Sequence, residues 1–257
     1  MISIITPSHN CSAFISETIR SVVSQTFTNW EMIIVDDFSS DKSVNVIQSF
    51  VDQDSRIRLI RLPENSGAAV ARNTAIEAAK GRYIAFLDSD DLWLPNKLEA
   101  QIALMQAHAY PFVFSAYDKI DEQGKIFGHI GIPEKVAYSD LLKTCSIGCL
   151  TVIYDAAYFG KVYMPTNTKR EDFAMWLKLL KMTDYAFGIN KTLAQYRVYD
   201  NQNSANKIQM AAEGWRVYRE VECLSILKAT YYFSHYAVRG ILRTKMPKLA
   251  RILGVLK

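Results

Sequence analysis

Apolar runs of strand length alternate with helix-length stretches along the first half of the chain. The runs are rich in β-branched residues, which predicts strands at 2–6, 32–35, 57–62 and 83–87. Between them, apolar residues recur at helical spacing around Ile19 and Ile47, and an alanine-rich stretch ends just before Gly81. This alternation predicts an α/β fold with a mostly parallel central sheet and helices flanking both faces.

Polar clusters follow each of the predicted strands, at 7–10, 36–37, 65–67 and 88–91. Because ligands of such sheets bind at the carboxyl ends of the strands, we expect these four loops to face one cleft. The second half is less regular. There we predict a strand at 112–120 that enters a turn at 121–124, and a short helix at 139–144.

The last of these clusters carries the most specific chemistry. Phe86-Leu87-Asp88-Ser89-Asp90-Asp91 places several carboxylates directly after an apolar run. Hard cations such as Mg²⁺ or Mn²⁺ prefer oxygen ligands, and they are often bound by one or two carboxylates together with the phosphates of a nucleotide. The cluster therefore predicts a metal–nucleotide site.

Composition is that of a globular protein. The chain has 257 residues, 49% of them hydrophobic, enough for one large domain or a domain with an appendage. No segment approaches the roughly 20 apolar residues of a membrane span, and we expect no secretory signal because the first residues lack a basic region. The cysteines form no zinc-ligand pattern, which favours free thiols in a reducing cytosol; they are Cys11, Cys145, Cys149 and Cys223.

Positive charge is concentrated at the C-terminal end. Residues 223–257 include seven Lys or Arg and no Asp or Glu, whereas the rest of the chain has 23 basic against 26 acidic residues. Aromatic and aliphatic residues are interleaved with these charges, a mixture suited to an anionic membrane surface. The alternative is a C-terminal helix that docks on the body and leaves a basic face in solvent. No recognition motif accompanies the charge, so we do not expect nucleic acid as a partner.

Four motifs together resemble those of family 2 glycosyltransferases, which have the GT-A fold. They are Ile4-Ile5-Thr6-Pro7-Ser8-His9-Asn10, Val35-Asp36-Asp37-Phe38-Ser39-Ser40-Asp41, Asn65-Ser66-Gly67 with Ala71-Arg72-Asn73, and the 86–91 cluster. The resemblance is close over residues 1–110 and looser over 111–205. It implies a nucleotide-sugar-binding half and an acceptor-binding, catalytic half of one Rossmann-like domain. A helical basic extension would follow at 206–257.

The resemblance implies a UDP-sugar donor whose uracil contacts Asp37, in a pocket that Thr6 and Pro7 line. A carboxylate suits the imide N–H of that base. Arg72 would add charge near the phosphates or hold its loop together; the alternative is a surface ion pair. The other nucleotide-sugar contacts that it implies are Gly67, Asp88, Ser89 and Arg197.

The resemblance implies a different role for each carboxylate of the acidic cluster. Asp88 would face the ribose and contribute to the metal site, and Asp90 would ligate the Mn²⁺ or Mg²⁺ that bridges the two phosphates. Asp91 would support this shell, and its loss should matter least. The metal would neutralise the diphosphate as it leaves.

The second half contains a candidate general base, which would accept the proton of the acceptor hydroxyl. Arg170-Glu171-Asp172-Phe173-Ala174-Met175-Trp176 resembles the family's Glu-Asp motif. Asp172 matches the general base, Glu171 would orient the base or the acceptor, and Trp176, one helical turn on, would form a wall of the acceptor pocket. Without the resemblance, two acidic residues at the start of an apolar helix would be explained by stabilisation of the helix, because its dipole favours negative charge at the N-terminus. Displacement assisted by one carboxylate implies inversion of the anomeric centre.

The chain departs from the family pattern in three places. Phe38 replaces a usual glycine, His9 replaces a frequent tyrosine, and Tyr199 replaces a frequent histidine that helps to bind metal or diphosphate. Arg197 and Ser204 are candidates for phosphate contact in a loop that orders when the donor binds.

The sequence therefore predicts a metal-dependent hexosyl- or N-acetylhexosaminyltransferase. It would act on a glycan or lipid-linked acceptor in bacterial surface polysaccharide synthesis, in the cytoplasm and peripheral to the inner face of the plasma membrane. One alternative is a sugar nucleotidyltransferase, which would need a glycine-rich phosphate loop near the first strand. Another is an inactive membrane-associated scaffold, which would lack Asp90 or Asp172. Donor sugar, acceptor and linkage depend on residues 121–170, which contain no interpretable motif.

Overall fold

The computed structural model describes residues 1–199 and 207–245. Its strands are β1 (Ile2–Ser8), β2 (Trp30–Asp36), β3 (Ile57–Arg61), β4 (Tyr83–Phe86), β5 (Leu92–Trp93), β6 (Phe112–Ile120), β7 (Ile126–Ile130), β8 (Lys135–Val136), β9 (Ile153–Asp155) and β10 (Ala186–Arg197). Its α-helices are α1 (Ile15–Val23), α2 (Ser43–Val51), α3 (Ala68–Ala78), α4 (Lys97–His108), α5 (Tyr138–Lys143), α6 (Ala156–Phe159), α7 (Glu171–Leu180), α8 (Lys207–Arg216) and α9 (Ile226–Lys245). A 3₁₀ turn at Cys149–Thr151 precedes β9, and a π-helical turn at Val217–Val221 follows α8.

One sheet runs through the described residues in the order β3-β2-β1-β4-β9-β6-β10-β5. The strands β3, β2, β1 and β4 are parallel, so their carboxyl ends lie at one edge. Strand β9 is antiparallel to both of its neighbours, whereas β6 and β10 are again parallel. The short strands β7 and β8 pair with β6 and β10. The predicted α/β fold with a mostly parallel sheet is confirmed.

Helices cover both faces of the sheet, and alternate residues of each central strand point to opposite sides. Ile4 of β1 packs in a cluster with residues of α1 and α4, whereas Ile5 packs in a second cluster with residues of α3 and α7. All seven residues of β1 are buried. Burial on both faces explains why the strands are continuous apolar runs.

Most predicted elements lie within a residue or two of the observed ones. The strand at 112–120 has the predicted bounds, and the short helix α5 begins one residue earlier than predicted. At the turn after β6, Gly124 N donates to Asp121 O at 3.0 Å, and Gly124 has a φ of +81°. Strand β2 begins two residues before the predicted run because the buried Glu31 is hydrogen-bonded within the sheet: its Oε1 accepts from Ser3 Oγ and Lys80 N.

The described part of the C-terminal extension is helical and docks on the body. Ala229 of α9 is fully buried, Tyr218 is 1% exposed, and the Tyr218 hydroxyl donates to Leu142 O of α5 at 2.6 Å. The described contacts therefore agree with the docked-helix alternative as far along α9 as Tyr236. Residues 246–257, which contain the rest of the predicted membrane-binding tail, lie outside the described residues, as does Ser204. No helix within 1–199 or 207–245 is long and apolar enough to cross a membrane. The four cysteines form no disulfide with one another.

Candidate active site

Loops that follow three parallel strands meet at the carboxyl edge of the sheet. Asp37 N, after β2, donates to Ser8 O of β1 at 2.8 Å, and Asp37 O lies 2.7 Å from His9 Nδ1. Asn65 Nδ2, after β3, lies 3.2 Å from His9 Nε2. The predicted convergence of these loops is therefore observed, and His9 joins them through its two ring nitrogens.

Asp37 orders the loop that precedes α3. Its Oδ1 accepts a hydrogen bond from Ser66 N at 2.7 Å, and its Oδ2 accepts one from Gly67 N at 2.8 Å. Gly67 has a φ of +90°, which glycine adopts without strain. Asp37 is only 4% exposed. Contact with a uracil imide would use the second lone pairs of these oxygens.

Thr6 and Pro7 lie at the end of β1, between β2 and β4, and both are buried. The Thr6 side chain is fully buried, and its Oγ1 has no hydrogen-bond partner among the described residues. The Thr6 side chain is therefore not exposed to the cleft in this structure, and the nucleotide pocket lined by Thr6 and Pro7 stays a prediction.

Phe38 occupies a strained turn beside Asp37. Its φ is +61°, in the left-handed region that disfavours side chains with a Cβ, and its ring is 57% exposed. Asp36 stabilises this turn by accepting from Ser39 N at 3.1 Å and from Ser39 Oγ at 2.5 Å. The glycine that the family usually has here would meet the same backbone requirement without strain.

The acidic cluster forms the loop between β4 and β5. Asp88, Ser89 and Asp90 are partly exposed, and Ser89 O accepts from Thr18 Oγ1 of α1 at 3.0 Å. Asp90 Oδ2 accepts a hydrogen bond from the Tyr199 hydroxyl at 2.9 Å. Burial, together with the Asp90 carboxylate, raises the pKa of Tyr199 above the range of an ordinary phenol. The phenol is therefore neutral and acts as a donor to Asp90.

Asp91 and Arg197 are structural partners beneath this loop. Asp91 is 1% exposed, and its Oδ1 accepts from Arg197 N at 2.9 Å. Burial raises the pKa of Asp91 well above its usual range, Asp90 and Asp88 add to the rise, and Arg197 opposes it. These contacts tie Asp91 to Arg197, and its supporting role at the metal site stays a prediction.

The phosphate contact predicted for Arg197 is wrong. The residue is fully buried, and its guanidinium donates to Asp90 O at 2.9 Å, to Glu122 O at 2.8 Å and to Glu17 Oε2 at 2.7 Å. It therefore ties the acidic loop to α1 and to the turn after β6. A cation held in this way lies out of reach of a nucleotide in the cleft.

Arg72 joins the two halves of the candidate site. Its Nη2 donates to Asp88 Oδ1 at 2.6 Å, and its Nη1 donates to Glu171 Oε1 at 2.7 Å. The residue is 6% exposed, so it is a buried bridge and not a surface ion pair. Burial works against the charge of Arg72, but Asp88, Cys149 and Glu171 hold its pKa well above the usual value. This geometry fits the loop-holding role predicted for Arg72 better than contact with phosphate.

Glu171 and Asp172 begin α7 at the edge of this cluster. Burial raises the pKa of Glu171, Arg72 opposes the rise, and Asp172 adds to it. Asp172 is partly exposed, and its Oδ1 accepts from Phe173 N at 2.6 Å. Both carboxylates also lie in the first helical turn, where the helix dipole favours negative charge. Glu171 is thus paired with Arg72, whereas Asp172 is partly exposed beside it and accepts a backbone hydrogen bond.

Trp176 does not form an acceptor wall. Its ring is fully buried, with its centroid 5.3 Å from that of Phe86 and 5.8 Å from that of Phe112. The spacing from Asp172 does place Trp176 one turn along the same helix. That turn already lies inside the core, because α7 leaves the site immediately after its first turn.

The carboxylate oxygens of the acidic loop fit a divalent cation whose other ligands come mainly from the phosphates of a bound nucleotide. Asp88 and Asp90 flank Ser89 in one partly exposed loop and offer hard carboxylate oxygens. No group of three or more His, Cys, Asp or Glu in the described ranges could hold a metal by itself. Mg²⁺ is typically bound by one or two carboxylates plus phosphates and water. Tyr199 adds a neutral donor and no further negative charge.

Cys149 also belongs to the site, although no sequence spacing indicated it. Burial raises the pKa of its thiol well above the usual value, Arg72 opposes the rise, and Asp88, Asp172 and Glu171 add to it. The thiol therefore lies within electrostatic reach of these four charged groups. Cys149 begins the 3₁₀ turn that precedes β9. Its position near these charged groups comes from the tertiary fold and not from a local sequence pattern.

Known proteins are similar to this chain in sequence and in fold. The profile described as Glycosyl transferase family 2 matches residues 3–164. TuaG of Bacillus subtilis (strain 168), a glycosyltransferase assigned to teichuronic acid biosynthesis, is 45% identical over 242 residues, which cover 94% of this chain and 96% of TuaG. WfgD of Escherichia coli, a UDP-Glc:α-D-GlcNAc-diphosphoundecaprenol β-1,3-glucosyltransferase, is 40% identical over 243 residues, which cover 94% of each chain.

Among solved structures, S. aureus TarS 1–349 in complex with UDP-GlcNAc superimposes with a TM-score of 0.75. The match covers 99% of this chain and 79% of that chain, at 19% sequence identity. At this identity the similarity shows the shared GT-A fold alone.

Proposed function

This chain belongs to glycosyltransferase family 2, and we propose that it transfers one sugar from a UDP-linked donor to a hydroxyl of a glycan or lipid-linked oligosaccharide, with inversion of the anomeric carbon. The observation that carries the proposal is the double ion pair of Arg72. It joins Asp88, on the donor side, to Glu171, beside the carboxylate that would act as base. Donor-binding and proton-accepting groups are thereby held in one site.

On the donor side, Asp37 would accept the imide N–H of uracil and Asp88 would face the ribose. Asp90 and Asp88 would hold Mn²⁺ or Mg²⁺, which neutralises negative charge on the leaving diphosphate. The partly exposed loop at Ser89 lies between the two metal-binding carboxylates. Tyr199 would orient Asp90 through its hydrogen bond.

On the acceptor side, Asp172 would take the proton of the incoming hydroxyl. The hydroxyl oxygen forms the new bond to the anomeric carbon as the bond from that carbon to the diphosphate breaks. The electron pair of the broken bond leaves with the diphosphate, and the proton stays on Asp172. A single displacement inverts the centre, so an α-linked donor gives a β-linked product. The β-linkage in the name of WfgD is consistent with this stereochemistry.

The relatives support a substrate class. WfgD is named for a UDP-glucose donor and a diphosphoundecaprenol-linked acceptor, and TuaG is assigned to teichuronic acid biosynthesis. We therefore place this chain in bacterial surface polysaccharide synthesis, as a hexosyl- or N-acetylhexosaminyltransferase. A lipid-linked acceptor would require a position at the cytoplasmic face of a membrane.

The test is a screen of nucleotide sugars for metal-dependent hydrolysis, which needs no acceptor. UDP-glucose and UDP-N-acetylglucosamine with Mn²⁺ should release UDP, and UDP with Mn²⁺ should raise the melting temperature more than either alone. GDP-mannose serves as the control donor. A melting temperature that no nucleotide changes would contradict the donor assignment. Release of pyrophosphate from a sugar phosphate and UTP would instead indicate a nucleotidyltransferase.

A further inference from the structure

Helix α9 has one face docked on the body. Ala229 is fully buried, and the ring of Phe233 lies 5.5 Å from that of Trp215 in α8. The Arg170 guanidinium stacks over Tyr236 at 5.1 Å. Since Arg170 lies two residues before Asp172, α9 contacts the segment that leads into the catalytic helix.

The opposite face of α9 carries large apolar side chains in solvent. Leu227 is 84% exposed, Tyr231 is 52% exposed and Val238 is 56% exposed. Their spacing of four and then seven residues places them on one face of the helix. Ile226, at the start of the helix, is 64% exposed. We call these four residues the α9 stripe.

Only positive charge accompanies the stripe in the sequence. Lys228 and Arg239 each directly follow a stripe residue, so both lie on the same flank of the helix. No Asp or Glu follows Glu222. Glu222 itself is 2% exposed at its side chain, pairs with Lys181 Nζ at 2.6 Å and accepts from the Tyr138 hydroxyl. The carboxylate nearest to α9 in sequence is therefore neutralised and buried.

A groove begins beside the stripe, between α5 and α9. Its volume is about 320 Å³, and its lining includes Leu142, Leu224, Tyr232 and the stripe residues Leu227 and Tyr231. Lys228 stands at the same groove. This surface is thus lined by apolar and aromatic side chains, with the positively charged Lys228 beside them.

We propose that the α9 stripe is the surface by which this protein lies on an anionic lipid bilayer. Its apolar side chains would enter the boundary between headgroups and acyl chains, and Lys228 and Arg239 would pair with lipid phosphates. Docking and membrane contact, which the sequence presented as alternatives, use opposite faces of one helix. Charge complementarity favours an anionic bilayer over a second copy of the chain, because two basic stripes repel. The biological purpose, access to a lipid-linked acceptor, rests on the proposed function.

The experiment is flotation of the full chain with vesicles of phosphatidylcholine alone or mixed with phosphatidylglycerol. The parent should bind the anionic vesicles preferentially. The double variant Leu227→Gln/Val238→Gln should lower the partition coefficient at least about tenfold. Lys228→Gln/Arg239→Gln should lower it by a similar factor on anionic vesicles, with little change on neutral ones.

Matched controls come from the rest of the surface. Phe127→Gln, at a residue that is 57% exposed on β7, and Lys191→Gln, at an exposed residue of β10, should bind like the parent. Equal binding of the stripe variant and the parent would overturn the proposal. So would a parent that floats with neither vesicle, or a dimer in sedimentation that Leu227→Gln dissociates.

Two further measurements separate this proposal from the proposed function. Asp172→Asn should float with anionic vesicles as well as the parent does. The stripe variant should keep the parent's melting temperature and its hydrolysis of UDP-sugar in solution. Loss of flotation with hydrolysis intact would support the membrane surface even if the donor were a different nucleotide sugar.

Discussion

The Tyr199 hydroxyl donates a hydrogen bond to Asp90 Oδ2 at 2.9 Å. A ring contact with Phe14, with centroids 5.4 Å apart, holds the phenol in place. The residue that stands in place of a frequent histidine is therefore connected to the acidic cluster through a carboxylate. It contacts the proposed metal ligand through one hydrogen bond.

Tyr199→Phe should weaken the response to Mn²⁺ because Asp90 loses the group that orients it. We expect the Mn²⁺ concentration for half-maximal stabilisation by UDP to rise about tenfold. Thermal melts at fixed UDP and varied Mn²⁺ measure this shift. Tyr158→Phe, at a residue that is 58% exposed, is the control. An unchanged Mn²⁺ response would show that the hydrogen bond does not act on the metal site.

Arg72→Met should destabilise the fold strongly, since it leaves Asp88 and Glu171 without their shared cation. Removal of one partner of a buried ion pair typically costs about 3–5 kcal/mol. Arg82→Met is the matched control: Arg82 pairs with Asp155 at 2.7 Å, but its side chain is 60% exposed, so its loss should cost far less stability than the loss of Arg72. Urea unfolding measures both variants.

Arg72→Lys separates charge from geometry at the same position. A lysine keeps the positive charge, but its single ammonium cannot reproduce the fork that contacts two carboxylates. We expect the rise in activation free energy, calculated from kcat, to exceed the loss in the free energy of unfolding. Equal kcat in Arg72→Lys and the parent would mean that the bridge to Glu171 has no role in positioning the base.

Asp172→Asn should abolish transfer and leave UDP affinity nearly unchanged, because an amide cannot accept the proton of the incoming hydroxyl. Loss of a general base typically lowers the rate by about 10²–10⁴-fold. Transfer assays and calorimetry with UDP and Mn²⁺ measure the two quantities. Asp184→Asn, at an exposed residue beyond α7, is the control. A fully active Asp172→Asn would remove the base assignment.

Phe38→Gly should raise the melting temperature because it relieves a left-handed backbone. The strain of a residue with a Cβ in this region is about 1–2 kcal/mol. Gly67→Ala gives the converse test: the φ of Gly67 is +90°, and an added Cβ would meet no described atom within 4 Å, so any loss of stability comes from the backbone alone. A lower melting temperature for Phe38→Gly would show that packing of the ring outweighs the strain.

Lys97 should make stability depend on pH. The residue is fully buried and its Nζ contacts Gln101 Oε1, and burial lowers its pKa well below the usual 10.5. Between the lowered pKa and 10.5 the unfolded chain binds more protons, so the free energy of unfolding rises with pH. Lys97→Met should flatten that rise. Lys191→Met, at an exposed residue, should keep the parent's pH profile.

Elements that are buried on both faces could be predicted from the sequence, and so could the loops at their ends. The strands β1, β2 and β4 are continuous apolar runs because helices cover both of their faces. Their parallel order brings the polar ends together, as the contacts of His9 with Asp37 and Asn65 show. Periodicity and strand direction were sufficient for this part of the site.

Side chains whose surroundings come from distant parts of the chain could not be predicted in this way. Helical spacing places Trp176 on the same side as Asp172, but it does not say where α7 enters the core. A motif marks Arg197 as a cation near the acidic loop, but its partners Glu17 and Glu122 lie far away in sequence. Cys149 reaches the site because Trp93 Nε1 and Gln101 Nε2 bind the carbonyl oxygens of the two residues after it.

The bridge through Arg72 joins groups that lie outside the loops around residues 121–170. Its hydrogen bonds go to Asp88 and Glu171, and no residue between 121 and 170 takes part in them. The two hydrogen bonds of the bridge are therefore made without the loops that would contact the acceptor. Relatives could exchange those loops, and with them the sugar that they extend, while Arg72 still joins the same two carboxylates.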